Sequence, residues 1–216
     1  MKKKQSVKNL VLLAMLAAMA YMIVSLVRIP VILFLKYEPK DVIITIGGFL
    51  LGPMASFVVS LVVSLLEMVT ISETGPIGGL MNLLSTCAFS CTAAVIYKRK
   101  HTLLGAVEGL IAGSVFMVVI MLLWNWLITP IYMGVTRSTV EGMLLPVFLP
   151  FNALKAGLNS AMVMLLYKPL VTALRKTGLV ETGGGKSGGS RTGFYLLAAG
   201  LLITCVVLLL VLQGKM

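Results

Sequence analysis

Long apolar runs recur along this chain, and they limit the folds open to it more than any other feature. Six are separated by short polar or glycine-containing stretches and one more follows near the C-terminus, at residues 10–27, 42–51, 55–71, 77–97, 103–128, 144–167 and 194–212. A helix needs about 20 apolar residues to cross the hydrocarbon core of a bilayer. Because 59% of the residues are hydrophobic and only 12% are charged, the sequence predicts an all-α integral membrane protein.

The second run is shorter than a membrane span, and Gly52 and Pro53 follow it. A Gly-Pro pair between two apolar runs is typical of a tight turn. We therefore expect the second and third helices to be closely packed neighbours.

The positions of the basic residues predict the orientation in the membrane. The net charge is +11, yet the lysines and arginines flank the apolar runs, with clusters at residues 2–4, 98–100 and 175–176. Cytoplasmic loops of membrane proteins carry an excess of Lys and Arg. We therefore expect a multi-pass cell-membrane protein with a cytoplasmic N-terminus, in contact with lipid and not with nucleic acid.

One lysine lies inside an apolar run. Lys155 stands near the middle of residues 144–167, and on a helix Asn152 and Asn159 project from the same face. Placing a lysine there costs roughly 2.5–3.5 kcal/mol on insertion scales. We interpret Lys155 as a functional residue that faces a polar cavity; the alternative is a lysine that pairs with a carboxylate merely to hold helices together.

The predicted orientation places polar residues from several helices at one depth on the outer side. They are Tyr37, Glu38, Glu67, Thr70, Thr74, Gly75, Asn82, Ser85, Asn125, Asn152 and Lys155. Costly polar groups from separate helices at the same depth are what a pocket open to the outside requires.

Other chemistry finds little support in the sequence. Cys87 and Cys91 lie one helical turn apart in an apolar run with no histidine nearby, which favours small core residues over a metal site. The GKS at residues 185–187 resembles the end of a phosphate-binding loop, but Val180 stands where the motif needs glycine. We expect a flexible linker there, and we expect neither enzyme activity nor a cofactor or metal.

Several short motifs occur together along the chain: LKYEPKD at 35–41, IGGFLLGP at 46–53, SLLEMVTIS at 64–72, TGPIG at 74–78, MN at 81–82 and FNALKAGLN at 151–159. In combination they resemble the riboflavin-specific substrate-binding subunit, or S component, of energy-coupling factor (ECF) transporters, over about residues 8–175. The resemblance implies a six-helix membrane bundle that captures riboflavin from outside. It also implies partners: a transmembrane coupling subunit and two cytoplasmic ATPase subunits.

The resemblance also implies a binding site. Its residues would be Tyr37, Glu38, Thr74, Gly75, Asn82, Asn125, Asn152 and Lys155. Carboxamide and ammonium groups complement the alternating acceptors and donor on the pyrimidine edge of a flavin. We expect the ring faces to be covered by apolar residues such as Leu35, Met81, Leu84 and Trp126.

A further implied feature is a patch of small residues on the first helix. Ala14 and Ala18 stand four residues apart, and small residues at this spacing let another helix approach closely. That helix would belong to the coupling subunit, or alternatively to the same chain.

The predicted organisation is a substrate-binding domain at residues 1–175, a Gly/Ser-rich linker at 176–193 and an additional hydrophobic helix at 194–213. The last segment departs from the six-helix pattern, either as a seventh span or as a peripheral helix beside the bundle. Three alternatives to a riboflavin S component remain: an S component for another vitamin, a membrane enzyme that acts on a lipid with Glu67 and Lys155 as acid and base, and a stand-alone secondary transporter.

Overall fold

Helices make up nearly all of the structure, a computed structural model that describes residues 2–72, 75–176 and 191–214. The elements, in chain order, are α1 (Lys2–Leu26), β1 (Ile29–Ile32), β2 (Leu35–Tyr37), α2 (Lys40–Leu51), α3 (Pro53–Thr70), α4 (Gly75–Lys100), α5 (Leu103–Met133), α6 (Arg137–Met143), a π-helical turn (Leu144–Phe148), α7 (Leu149–Lys176) and α8 (Arg191–Leu212). Most of the predicted linker lies outside the described residues, so the predicted domain division stays a prediction.

Within the described residues, five helical segments are long and apolar enough to cross a membrane, namely Val7–Leu26, Pro53–Thr70, Gly75–Lys100, Leu103–Met133 and Gly193–Leu212. Helix α2 has only 12 residues, about 18 Å at 1.5 Å per residue, and is too short to span. Gly52 ends α2 at a φ of 98° and Pro53 begins α3. The tight turn that the Gly-Pro pair predicted is therefore confirmed.

A two-stranded antiparallel hairpin connects α1 to α2, and sequence analysis predicted no strand there. Ile29 pairs with Tyr37 and Pro30 with Lys36. Leu33, at the turn, has a φ of 51°, which is uncommon for a large side chain. β-branched and aromatic residues favour strands, but strands of four and three residues are too short for a clear alternating pattern.

Helix α8 packs along α7 instead of standing apart from the bundle. A Cβ atom at Gly157 of α7 would lie 2.5 Å from Sγ of Cys205 on α8, so glycine is what allows the two helices to come this close. Ala198 and Cys205 are buried at the contact. The C-terminal segment is thus a packed part of the bundle.

Candidate ligand-binding site

A cleft opens at one end of the bundle, between the hairpin and helices α4, α5 and α7. Its lining residues are Arg28, Phe34, Leu35, Lys36, Glu38, Ser72, Met81, Asn82, Ser85, Met121, Asn125, Phe151, Asn152 and Lys155. The walls combine apolar side chains with amide, hydroxyl and charged groups. Such a combination is typical of small-molecule sites, in which apolar surface supplies contact area and a few polar groups fix orientation.

The structure brings together five of the site residues predicted from sequence. Glu38, Asn82, Asn125, Asn152 and Lys155 all line the cleft, although they come from the link between β2 and α2 and from α4, α5 and α7. Two of the predicted ring-covering residues, Leu35 and Met81, line it as well.

Other predicted site residues lie elsewhere. Tyr37 is buried behind the cleft wall, where its hydroxyl donates a 3.0 Å hydrogen bond to Oδ1 of Asn159. Gly75 begins α4 and is not among the lining residues, and Thr74 lies outside the described residues. The indole of Trp126 donates to Oε1 of Glu141 and lies under the guanidinium of Arg137, so it does not cover the cleft; Leu84 is also absent from the lining.

Lys155 projects from the second turn of α7 and is only 5% exposed. Its Nζ lies 3.3 Å from Oδ2 of Asp41 and 3.3 Å from Oγ of Ser85. A buried ammonium needs such partners, because removal from water is costly for an unpaired charge. Lys155 is thus held at the cleft wall by groups from α2 and α4.

Asp41 is the centre of this network, and it is not among the site residues predicted from sequence. It is fully buried in the first turn of α2, where a carboxylate also interacts favourably with the helix dipole. Its Oδ1 accepts a bond from Thr86, and its Oδ2 accepts from Asn159 as well as pairing with Lys155. The sequence held one signal for it: a buried lysine needs a carboxylate partner. Asp41, the single aspartate in the chain, was one of seven acidic candidates.

The two asparagines of the cleft are oriented by their own helices. Asn125 Nδ2 donates to the carbonyl of Met121, and Asn152 Nδ2 to that of Phe148, at 2.7 Å in both cases. Thr129 donates to Oδ1 of Asn125. A carboxamide has two N–H donors and an oxygen with two lone pairs, so both side chains are fixed yet retain bonding capacity for a ligand.

A second charged cluster lies beside the cleft, around Lys40. The ammonium of this residue, fully buried at the start of α2, pairs with Glu38 and Glu67. Arg28 binds Oε1 of Glu38 at 3.1 Å, and Asn82 donates to Oε2 of Glu67. Lys40 is likewise not among the site residues predicted from sequence.

Glu38 is the member of this cluster that also lines the cleft. Burial acts to raise the pKa of Glu38, but the charge of Lys40, the charge of Lys155, a hydrogen bond from Lys40 and the charge of Arg28 outweigh it. The pKa is therefore held below its ordinary value. At neutral pH the cleft presents a carboxylate there.

The family profile described as "ECF transporter, substrate-specific component" matches residues 8–167 of the chain. The chain belongs to this family. Membership makes it a membrane transport component and not an enzyme, and it confirms the family inferred from the motifs. Helix α8 of this S component lies beyond the matched range.

Two named relatives and one solved structure are similar to this S component. "Riboflavin transporter RibU" of Staphylococcus aureus (strain TCH60) is 27% identical over 80% of the chain and 95% of the relative. "Riboflavin transporter FmnP" of Bacillus subtilis (strain 168) is 24% identical over 74% and 90%. A structure described as the S component of a bacterial ECF transporter superimposes with a TM-score of 0.65 at 28% identity, over 81% of this chain and 99% of the other.

Proposed function

We propose that this S component binds riboflavin in the cleft and imports it together with an ECF transmembrane coupling subunit and two cytoplasmic ATPase subunits. One observation carries the proposal: in a chain similar to two riboflavin transporters, Asn125, Asn152 and Lys155 meet on one cleft. Riboflavin is the transported ligand, and no cofactor takes part.

The cleft offers complementary groups to each part of riboflavin. The pyrimidine edge of the flavin alternates carbonyl acceptors with one N–H donor, which the two carboxamides and the ammonium of Lys155 can match. The faces of the ring would lie against apolar lining residues such as Leu35 and Met81. The ribityl hydroxyls would bond to the carboxylate of Glu38 and its polar neighbours, with Thr74, immediately before α4, as a further partner.

The position of the cleft supports an orientation with the N-terminus in the cytoplasm. The hairpin that forms one wall follows the C-terminal end of α1, so the cleft and residue 2 lie at opposite ends of that helix. If the cleft opens to the outside, the N-terminus is inside. The basic residues Lys98, Arg99 and Lys100 at the end of α4 agree with this orientation.

The proposed contact with the coupling subunit is the outer face of α1. Ala14 and Ala18 are exposed there, four residues apart. In a lipid environment, small residues at an exposed position allow close helix packing. A coupling-subunit helix is the partner that this face would accept.

Riboflavin binding to the purified protein, followed by quenching of flavin fluorescence, tests the proposal. We expect tight binding that Lys155→Ala and Asn152→Ala each weaken by about five- to hundredfold, because a lost buried hydrogen-bond partner costs about 1–3 kcal/mol. Leu123→Ala, on an exposed part of α5, serves as the control and should bind like the unchanged protein.

The other outcomes separate the alternatives. A folded protein that does not bind riboflavin rules out the proposed ligand, and a panel of other vitamins would follow. If Lys155→Ala lowers the melting temperature but leaves riboflavin affinity unchanged, the Lys155–Asp41 pair merely holds helices together. Binding that is indifferent to both substitutions would retain the ligand and reject the site.

A further inference from the structure

Helix α8 reaches from the far end of the bundle to the wall of the cleft. It has 22 residues, about 33 Å at 1.5 Å per residue, which matches a hydrocarbon core about 30 Å thick. At its end, Nε2 of Gln213 donates a 2.6 Å hydrogen bond to the carbonyl of Pro30 in β1. The end of α8 and the mouth of the cleft therefore lie on the same side.

Apolar contacts join α8 to the same wall. One cluster of buried residues contains Val31, Leu35, Tyr37, Phe148, Phe151, Leu154, Leu158 and Cys205, with α8 residues Leu201, Leu202, Leu208, Leu209 and Leu212 packed against it. Leu35 and Phe151 of this cluster also line the cleft. One packing unit thus includes α8 and two residues of the ligand-facing wall.

The hairpin needs this support. A two-stranded hairpin is marginally stable on its own, and its strands have four and three residues. Phe34, Leu35 and Lys36 of the hairpin line the cleft. Any change in how firmly the hairpin is held will therefore change how well the cleft retains a ligand.

We propose that α8 clamps the hairpin against the cleft and that Gln213 is the positioning residue of this clamp, a role that rests on the proposed riboflavin binding. Helix α8 and Gln213 lie outside the residues that match the family, whereas the hairpin lies within them, so α8 is an addition to the matched bundle. It holds the hairpin in its ligand-lining arrangement, and the ligand leaves when the hairpin moves away.

The first test measures riboflavin dissociation from full-length variants after addition of excess competitor. Gln213→Ala and Gln213→Glu remove the donor, and we expect dissociation about two- to tenfold faster, the range of one net hydrogen bond. Gln213→Arg keeps a donor and should restore slow dissociation. Ile203→Ala, on the exposed face of α8, should change nothing, and the melting temperature of the ligand-free protein should be the same in all four variants.

The second test measures the rate of hairpin opening in the ligand-free protein. Val31 is buried in β1, so in a background in which the free cysteines Cys87, Cys91 and Cys205 are replaced by alanine, a maleimide labels the Val31→Cys variant only when the hairpin opens. Adding Gln213→Ala should speed labelling by about two- to tenfold, whereas adding Ile203→Ala should not.

The two tests separate failure of the clamp from failure of the proposed function. Unchanged labelling and unchanged dissociation in Gln213→Ala would overturn the clamp. A lower melting temperature with unchanged dissociation would also overturn it, because Gln213 would then contribute only to stability. If the protein does not bind riboflavin but Gln213→Ala accelerates labelling, the clamp is supported and the ligand assignment is rejected.

Discussion

Lys155 Nζ lies 3.3 Å from Oδ2 of Asp41, on a different helix and with both side chains almost completely buried. Asp41 also accepts hydrogen bonds from Thr86 and Asn159. The pair joins α2 to α7 directly behind the ligand-facing wall. It therefore couples the integrity of the bundle to the position of the ammonium group in the cleft.

The first prediction concerns this pair. Asp41→Asn should lower stability by about 3–5 kcal/mol, because it leaves the buried ammonium without a counter-charge. It should also weaken riboflavin binding, since Lys155 would shift toward another acceptor. Thermal unfolding in detergent and fluorescence quenching measure the two effects. Combining Asp41→Asn with Lys155→Met should recover part of the stability but not the binding, and a stable, fully binding single variant would contradict the prediction.

The second prediction separates the ligand-facing wall from the layer behind it. Tyr37→Phe removes the donor to Asn159 and should cost about 0.5–1.5 kcal/mol of stability, with much less effect on riboflavin affinity than Asn152→Ala. Tyr21→Phe removes a hydrogen bond to Thr70, and neither residue lines the cleft, so this variant is the matched control and should leave riboflavin affinity unchanged. A large loss of affinity in Tyr37→Phe would show that this residue contacts the ligand after all.

The third prediction is a pH dependence that arises at Glu38. Its pKa in the folded protein is lower than its ordinary value, so its contribution to stability is complete above the ordinary glutamate pKa of about 4.3. That contribution is lost as the pH falls through the lower folded-state pKa. Melting temperatures measured from pH 7 to pH 3 should therefore fall in the acid range. In Glu38→Gln this fall should be smaller by the amount that the Glu38 carboxylate contributes. An identical acid profile in the variant would assign the loss to other carboxylates.

The fourth prediction compares two glycines. Gly157→Ala should destabilise the α7–α8 contact, because its Cβ would lie 2.5 Å from Cys205 Sγ. Gly200→Ala on α8 meets nothing within 4 Å, and both changes gain about 1 kcal/mol of helix propensity. The difference between their melting temperatures thus isolates the steric effect. Equal melting temperatures would mean that the two helices can separate at no cost.

Sequence reasoning found the membrane helices and several cleft residues for a clear physical reason. Apolar runs of span length leave few structures other than a helical bundle, and Asn152 and Lys155 stand out because a polar group inside such a run needs an explanation. The family resemblance supplied Asn125 and the ligand. These features can be recognised from the sequence because helix length and burial in lipid determine which residues are apolar.

The features that sequence reasoning missed depend on tertiary contacts. Lys40 and Asp41 stand next to a polar segment, so they read as solvent-exposed, yet α2 carries both into the bundle interior. Tyr37 lies in a motif whose resemblance implies ligand contact, but the direction of its side chain follows from the strand it occupies. The hairpin is too short to leave a periodic pattern, and its position depends on α8, which is far away in sequence.

The charges around the cleft also bear on the membrane potential. Arg28, Lys40 and Lys155 are paired with Glu38, Glu67 and Asp41, so the buried positive and negative charges balance. Moving one elementary charge across the membrane potential involves about 2.3 kcal/mol per 100 mV. If the bundle moves in the membrane with the proposed riboflavin, which is uncharged, these six residues transfer no net charge. They therefore add no voltage dependence to that movement, and among the charged residues that line the cleft it is Lys36 that stands outside the balanced set.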